Sequence, residues 1–100
     1  MTALQRRYLL EVRRIVRRHV PAKAGRAWLI GSWARDRISP ASDLDVAVRL
    51  APKTSAARLA ALEEALEAST VPYRVDIVNL RMADAAFREK VAVEGIPWVR

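Results

Sequence analysis

Residues 31–45 read GSWARDRISPASDLD: a Gly-Ser pair, ten residues, then two aspartates spaced by one leucine. Gly31-Ser32 follows the apolar run Ala27-Trp28-Leu29-Ile30, where a short strand is expected to end. Asp43 and Asp45 open a second apolar run, Val46-Ala47-Val48. Side chains alternate faces along a strand, so residues two apart point the same way. The two carboxylates are therefore expected side by side, where they repel unless a proton or a cation relieves them. A hard divalent ion such as Mg2+, which takes carboxylate and phosphate oxygens, would do so. The stretch thus suggests a metal–phosphate site.

The flanking sequence reads as alternating helices and strands. Leu4, Tyr8, Val12, Ile15, Val16 and His19 recur with helical period on one side, and the arginine pairs 6–7, 13–14 and 17–18 fall on the other. With Thr2 as N-cap and Pro21 as a stop, residues 3–20 are expected to be a helix. A turn at 22–25 leads to a strand over 26–30, and Pro40 with its small neighbours makes 36–42 a loop. The second strand is expected over 43–50. A helix capped by Thr54 or Ser55 then runs to about Ser69, with Leu59, Leu62 and Leu66 as its inner stripe. A third strand spans 73–78, and a last helix, 82–94, ends with Gly95 as the C′ residue. Trp98 is expected to pack against the body. The order is α-β-β-α-β-α, an α/β (α+β) fold with a small mixed sheet flanked by helices.

One hundred residues are expected to form a single domain, 1–100, with a small core. Hydrophobic residues make up 52%, and mean hydropathy is −0.03, as in a globular rather than a disordered chain. There is no cysteine, which rules out disulfides and thiolate metal sites and suits a reducing, cytoplasmic setting. No apolar run approaches the roughly 18 residues that span a bilayer, so no membrane is expected. The net charge of +7 lies entirely in the first 26 residues, which carry eight basic side chains and one acid, Glu11.

Taken singly, each motif has an ordinary explanation. Asp43-x-Asp45 could arise as turn or cap residues, and such pairs also occur in nucleotide-sugar glycosyltransferases. Gly31-Ser32 could be a strand-to-helix turn with Ser32 as N-cap; equally, glycine lets backbone approach a phosphate and serine adds a hydroxyl to helix N–H donors. Asp76, within Val75-Asp76-Ile77-Val78, is either an outward residue paired with Arg74 or an N-terminal arginine, or a third carboxylate beside Asp43 and Asp45. The latter requires the third strand to neighbour the second. Asp76 would then be placed to accept a proton from an attacking hydroxyl. Arg35 and Arg37 could neutralise phosphate charge or be solvated surface. The three tryptophans read as core or rim, with Trp33 the one able to touch a nucleotide.

Taken together, Gly31-Ser32, ten residues, Asp43-x-Asp45, and a lone aspartate on a later strand resemble the polymerase-β-like nucleotidyltransferase superfamily. The small size, the preceding helix, the GSWAR opening and the SDLDVAV strand are similar to its minimal nucleotidyltransferases, antitoxin partners of HEPN-domain toxins. The resemblance implies a nucleotide held by Gly31, Ser32, Arg35 and Ser42. It implies two Mg2+ ions held by Asp43, Asp45 and Asp76, with Asp76 as base. Relatives usually read G-S-x-A-R-G, whereas Asp36 stands at the second glycine here. If that position needs a positive φ, aspartate tolerates it better than most residues.

The activity so implied is transfer of NMP, with ATP the expected donor, to a hydroxyl. By resemblance the acceptor is a tyrosine of a partner HEPN toxin. The chain has no room for a second substrate-binding domain, so the acceptor is expected from a partner or from between subunits of a homo- or hetero-oligomer. The basic helix 3–20, with Leu10 on its charged face, is the expected docking surface. The alternative function is a non-catalytic module of the same fold that masks a protein partner or binds RNA through its N-terminal arginines.

Overall fold

The computed structural model describes residues 1–100. It contains α1 (Ala3–His19), β1 (Gly25–Ile30), α2 (Gly31–Ala34), β2 (Leu44–Leu50), α3 (Ala57–Glu67), β3 (Val75–Asn79), a 3-10 turn (Leu80–Met82), α4 (Ala85–Glu94) and β4 (Ile96–Val99). The strands form one sheet in the order β3-β2-β1-β4, with β2–β3 parallel and the other two pairs antiparallel. No helix is long and apolar enough to cross a membrane.

Helix α1 begins as its sequence implies. Thr2 Oγ1 accepts the Gln5 N–H at 3.0 Å and Gln5 Oε1 accepts the Thr2 N–H at 2.8 Å, a reciprocal cap that satisfies two free donors of the first turn. Val12, Ile15 and Val16 are buried against the sheet. Leu4, expected on this inner stripe, is instead 55% exposed, because the first turn of α1 extends past the core.

Strand alternation divides the sheet into two faces. Ala27, Leu29, Leu44, Val46, Val48 and Leu50 join residues of α1 and α3 in the main core, where Leu59, Leu62 and Leu66 are buried as expected. On the opposite face Ala47 packs with Leu80 and Val91, edged by Trp28, Ile30, Val78 and Phe87, so α4 covers this side. The parallel crossover from β2 to β3 runs through α3, and it makes β3 a neighbour of β2.

Five expectations are corrected. Strand β3 begins at Val75 rather than residue 73, and Asp43 lies just before β2, which begins at Leu44. The N-cap of α3 is Ala56, with no side-chain cap; Ser55 Oγ accepts the Ala57 N–H at 3.1 Å from one residue outside. Helix α4 starts at Ala85, where Asp84 Oδ1 accepts the Phe87 N–H at 2.8 Å, and residues 80–82 form a separate turn. The tail after Gly95 is a strand, β4, paired with β1. Its proline is tolerated because β4 lies at the sheet edge, where a missing N–H leaves no ladder partner unpaired.

Gly95 is also not the left-handed C′ residue expected of a helix stop, since its φ is −70°. What requires glycine there is contact. A Cβ would lie 2.6 Å from Val91 O and 3.1 Å from Trp28 Cβ.

Candidate active site

The chain leaves β1 at Ile30 and turns at once into the single helical turn α2. Gly31 makes this turn with φ +74°, a conformation that costs glycine little and other residues more. The cap of α2 is Ile30, not Ser32, and no side chain caps it. Trp33 anchors the turn. It is 1% exposed and packs edge-on to Tyr73 with ring centroids 4.8 Å apart, and Tyr73 in turn packs edge-on to Tyr8 of α1 at 5.9 Å. Burial at this level agrees with the reading of Trp33 as core, takes it out of reach of a nucleotide, and makes it the peg beside the Gly31-Ser32 turn.

After α2 the chain passes Asp36, which has φ +53°, so this position does adopt the left-handed conformation that glycine would supply. Arg35, Asp36 and Arg37 are all exposed. The loop then closes through serines: Ser42 Oγ accepts the Ser39 N–H at 2.9 Å and lies 3.1 Å from Ser39 Oγ. The Ser42 hydroxyl thus braces the approach to Asp43 from within the loop.

Asp45 is flanked on both sides. Its antiparallel partner on β1 is Ile30, and its parallel partner on β3 is Asp76. Both aspartates belong to the α4 face, since Val46 and Ile77 beside them turn into the main core. The Asp45 carboxyl titrates above its ordinary 3.8, first because burial disfavours its charge, then because Asp76 and Asp43 lie close enough to repel it. The three aspartates therefore form one electrostatic group.

They do not form a closed chelate as placed. No three Asp, Glu or His side chains converge on one point. Asp76 faces Arg74 instead, with Arg74 Nε 3.1 Å from Asp76 Oδ1, so the ordinary reading of Asp76 is present alongside the functional one. This pair is open to solvent, with side chains 75% and 40% exposed, and such pairs contribute about 0–1 kcal/mol. The donor set fits a divalent cation by chemistry: hard carboxylate oxygens, and a repulsion at Asp45 that a cation relieves.

A cleft of about 510 Å³ opens between the end of β1 and α4. Asp45, Gly31 and Arg35 line it on one side, and Phe87, Lys90 and Glu94 on the other. Ser32, Ser42, Asp43 and Asp76 do not line it. The α4 side chains were not singled out from sequence. Their spacing of three and four does place 87, 90 and 94 on one helix face, but nothing local says which face looks onto Asp45.

Comparisons with known proteins agree with this geometry. A family described as polymerase beta, nucleotidyltransferase matches residues 11–98. No curated protein sequence matches the chain significantly. Among solved structures, one described as a minimal nucleotidyltransferase is 33% identical, with a TM-score of 0.70, covering 94% of this chain and 91% of that one. A toxin-antitoxin structure with AMP-PNP is 26% identical, with a TM-score of 0.66 and coverages of 92% and 70%. A structure of tri-AMPylated Shewanella oneidensis HEPN toxin in complex with MNT antitoxin is 26% identical, with a TM-score of 0.63 and coverages of 94% and 71%. With a family match across nearly the whole chain and the paired strands carrying its aspartates, this chain belongs to the polymerase-beta nucleotidyltransferase family.

Proposed function

We propose that the 100 residues form one catalytic domain that transfers AMP from ATP to a hydroxyl of a HEPN-type protein partner, and so acts as an antitoxin. The observation that carries this reading is the placement of Asp45 between the positive-φ turn at Gly31 and the register partner Asp76. The similar complexes, one with AMP-PNP and one with an AMPylated HEPN toxin, support the donor and the partner.

In this reading the acceptor oxygen bonds to the α-phosphorus, the bond from that phosphorus to pyrophosphate breaks, and the hydroxyl proton passes to Asp76. Gly31 and Ser32 bring backbone N–H groups to the triphosphate, and Arg35 offsets its charge from the cleft wall. Asp43 and Asp45, with Asp76, would hold Mg2+, which when bound supplies charge neutralisation at the reacting phosphate. Asp76 must leave Arg74 to take part, a small cost for so exposed a pair. The partner would meet the basic outer face of α1, where Arg6, Arg7 and Leu10 are exposed.

The test is label transfer from α-labelled ATP to a co-expressed HEPN partner in Mg2+ or Mn2+. Transfer should occur with the native chain and be lost in Asp43→Asn and Asp45→Asn variants that keep their circular dichroism. Absence of transfer from every NTP, with partner and both metals present, would refute the enzyme reading.

A further inference from the structure

On the opposite side of the sheet from the carboxylates, α1 and β4 border a groove of about 530 Å³. Arg13, Arg17 and Arg100 line it, beside Pro21, Trp98 and Val99, and no acidic side chain does. None of these arginines has a carboxylate partner; the ion pairs of the chain are Met1–Asp36, Arg14–Glu11 and Arg74–Asp76. The nearest acid in sequence, Glu11, is held by Arg14 through two hydrogen bonds of 2.6 and 3.1 Å.

Two features of this groove have no explanation in the fold. Arg13 and Arg17 stand one helical turn apart, a like-charged arrangement that works against the helix. The negative end of the α1 dipole offsets this for Arg17, in the last turn, but the effect does not reach Arg13. Second, Arg13 Nε is buried and has no hydrogen-bond partner. A buried guanidinium N–H without an acceptor is destabilising, and an anion in the groove would satisfy it.

We infer that this groove binds an oligophosphate, separately from the nucleotide cleft. The guanidinium fork matches two phosphate oxygens at once, and three such groups around one opening suit a ligand with several linked phosphates better than a single carboxylate. The sheet lies between the groove and Asp43, Asp45 and Asp76, so their charge does not oppose binding there. The phosphates could be those of a free polyphosphate chain or of a nucleic-acid backbone.

The experiment is titration of the full chain with inorganic tripolyphosphate in EDTA, read by NMR at the Arg13 Nε–H resonance. That resonance should shift and saturate. A combined Arg17→Ala, Arg100→Ala variant should bind about tenfold or more weakly. Arg6→Ala, Arg7→Ala, on the same helix but outside the groove, should leave the affinity within about twofold, and Asp43→Asn, Asp45→Asn should leave the shift intact. No response at Arg13, or an equal loss in the Arg6, Arg7 variant, overturns the site. A ten-nucleotide RNA that displaces tripolyphosphate supports a nucleic-acid backbone as the source; failure to displace it supports free polyphosphate.

Discussion

The carboxylate of Asp45 stands in the space that a side chain on Gly31 would need: a Cβ there would lie 2.6 Å from Asp45 Oδ2. The same glycine has φ +74°. One residue thus meets two constraints, a backbone conformation and a close approach, and both serve to set the turn beside the central aspartate.

Gly31→Ala should therefore destabilise the protein by about 1–3 kcal/mol, the cost of a strained backbone position. Pairing it with Asp45→Ala removes the contact but not the strain. A double-mutant cycle by urea denaturation should show the two costs combining less than additively. Strict additivity would mean that the contact contributes nothing.

Asp45 also sets a pH dependence. Its folded-state pKa is raised, so between its ordinary 3.8 and that higher value the folded chain binds more protons than the unfolded one. Its contribution to stability therefore falls as pH rises through this window. Asp45→Asn should be more stable than the native protein at neutral pH, by roughly 1–4 °C in Tm for a solvent-accessible group in a chain of this length. The difference should vanish below pH 3.8. Calorimetry across the pH range would show it, and a neutral-pH Tm below that of the native chain would contradict it.

Arg74→Ala separates the two readings of Asp76. The ion pair is exposed, so stability should change by no more than about 0.5 kcal/mol. Removing the cation that faces Asp76 should strengthen binding of Mg2+, measured by Mn2+ competition. Weaker metal binding would make Arg74 a contributor to the site rather than a competitor for Asp76.

Gly95→Ala tests contact without strain. Its φ of −70° suits any residue, yet the new methyl meets Val91 O at 2.6 Å and Trp28 Cβ at 3.1 Å. A loss of about 1–3 kcal/mol is expected, the usual cost of overpacking. An unchanged Tm would show that α4 shifts away from the sheet freely.

At Asp36, with φ +53°, Asp36→Gly should be tolerated, whereas Asp36→Val should cost about 1–2 kcal/mol. Thermal unfolding of the two variants distinguishes a backbone requirement at this position from a charge requirement.

Much of the fold was legible because its signals are local. Thr2 marks the start of α1 through its own cap hydrogen bond, and the Leu59, Leu62, Leu66 stripe identifies the buried face of α3. Strand β4 was not legible. Four residues with a proline carry no strand periodicity, and they become a strand only because β1 has a free edge. Gly95 misled for a related reason: its position matched a helix stop, but its actual constraint is contact, with Val91 O one turn back and with Trp28 far away in sequence.

The candidate site divides in the same way. Sequence alone determined that a strand ends before Gly31-Ser32, that two aspartates one residue apart lead into the next strand, and that an aspartate recurs in a later strand, since turn residues and the two-residue apolar period are local signals. Only the tertiary structure decided that Asp76 stands beside Asp45, that Trp33 is buried under Tyr73, and that Phe87, Lys90 and Glu94 wall the cleft. Those relationships depend on strand order and on which face each helix covers, and both are settled by burying apolar surface across the whole sheet rather than by any one segment.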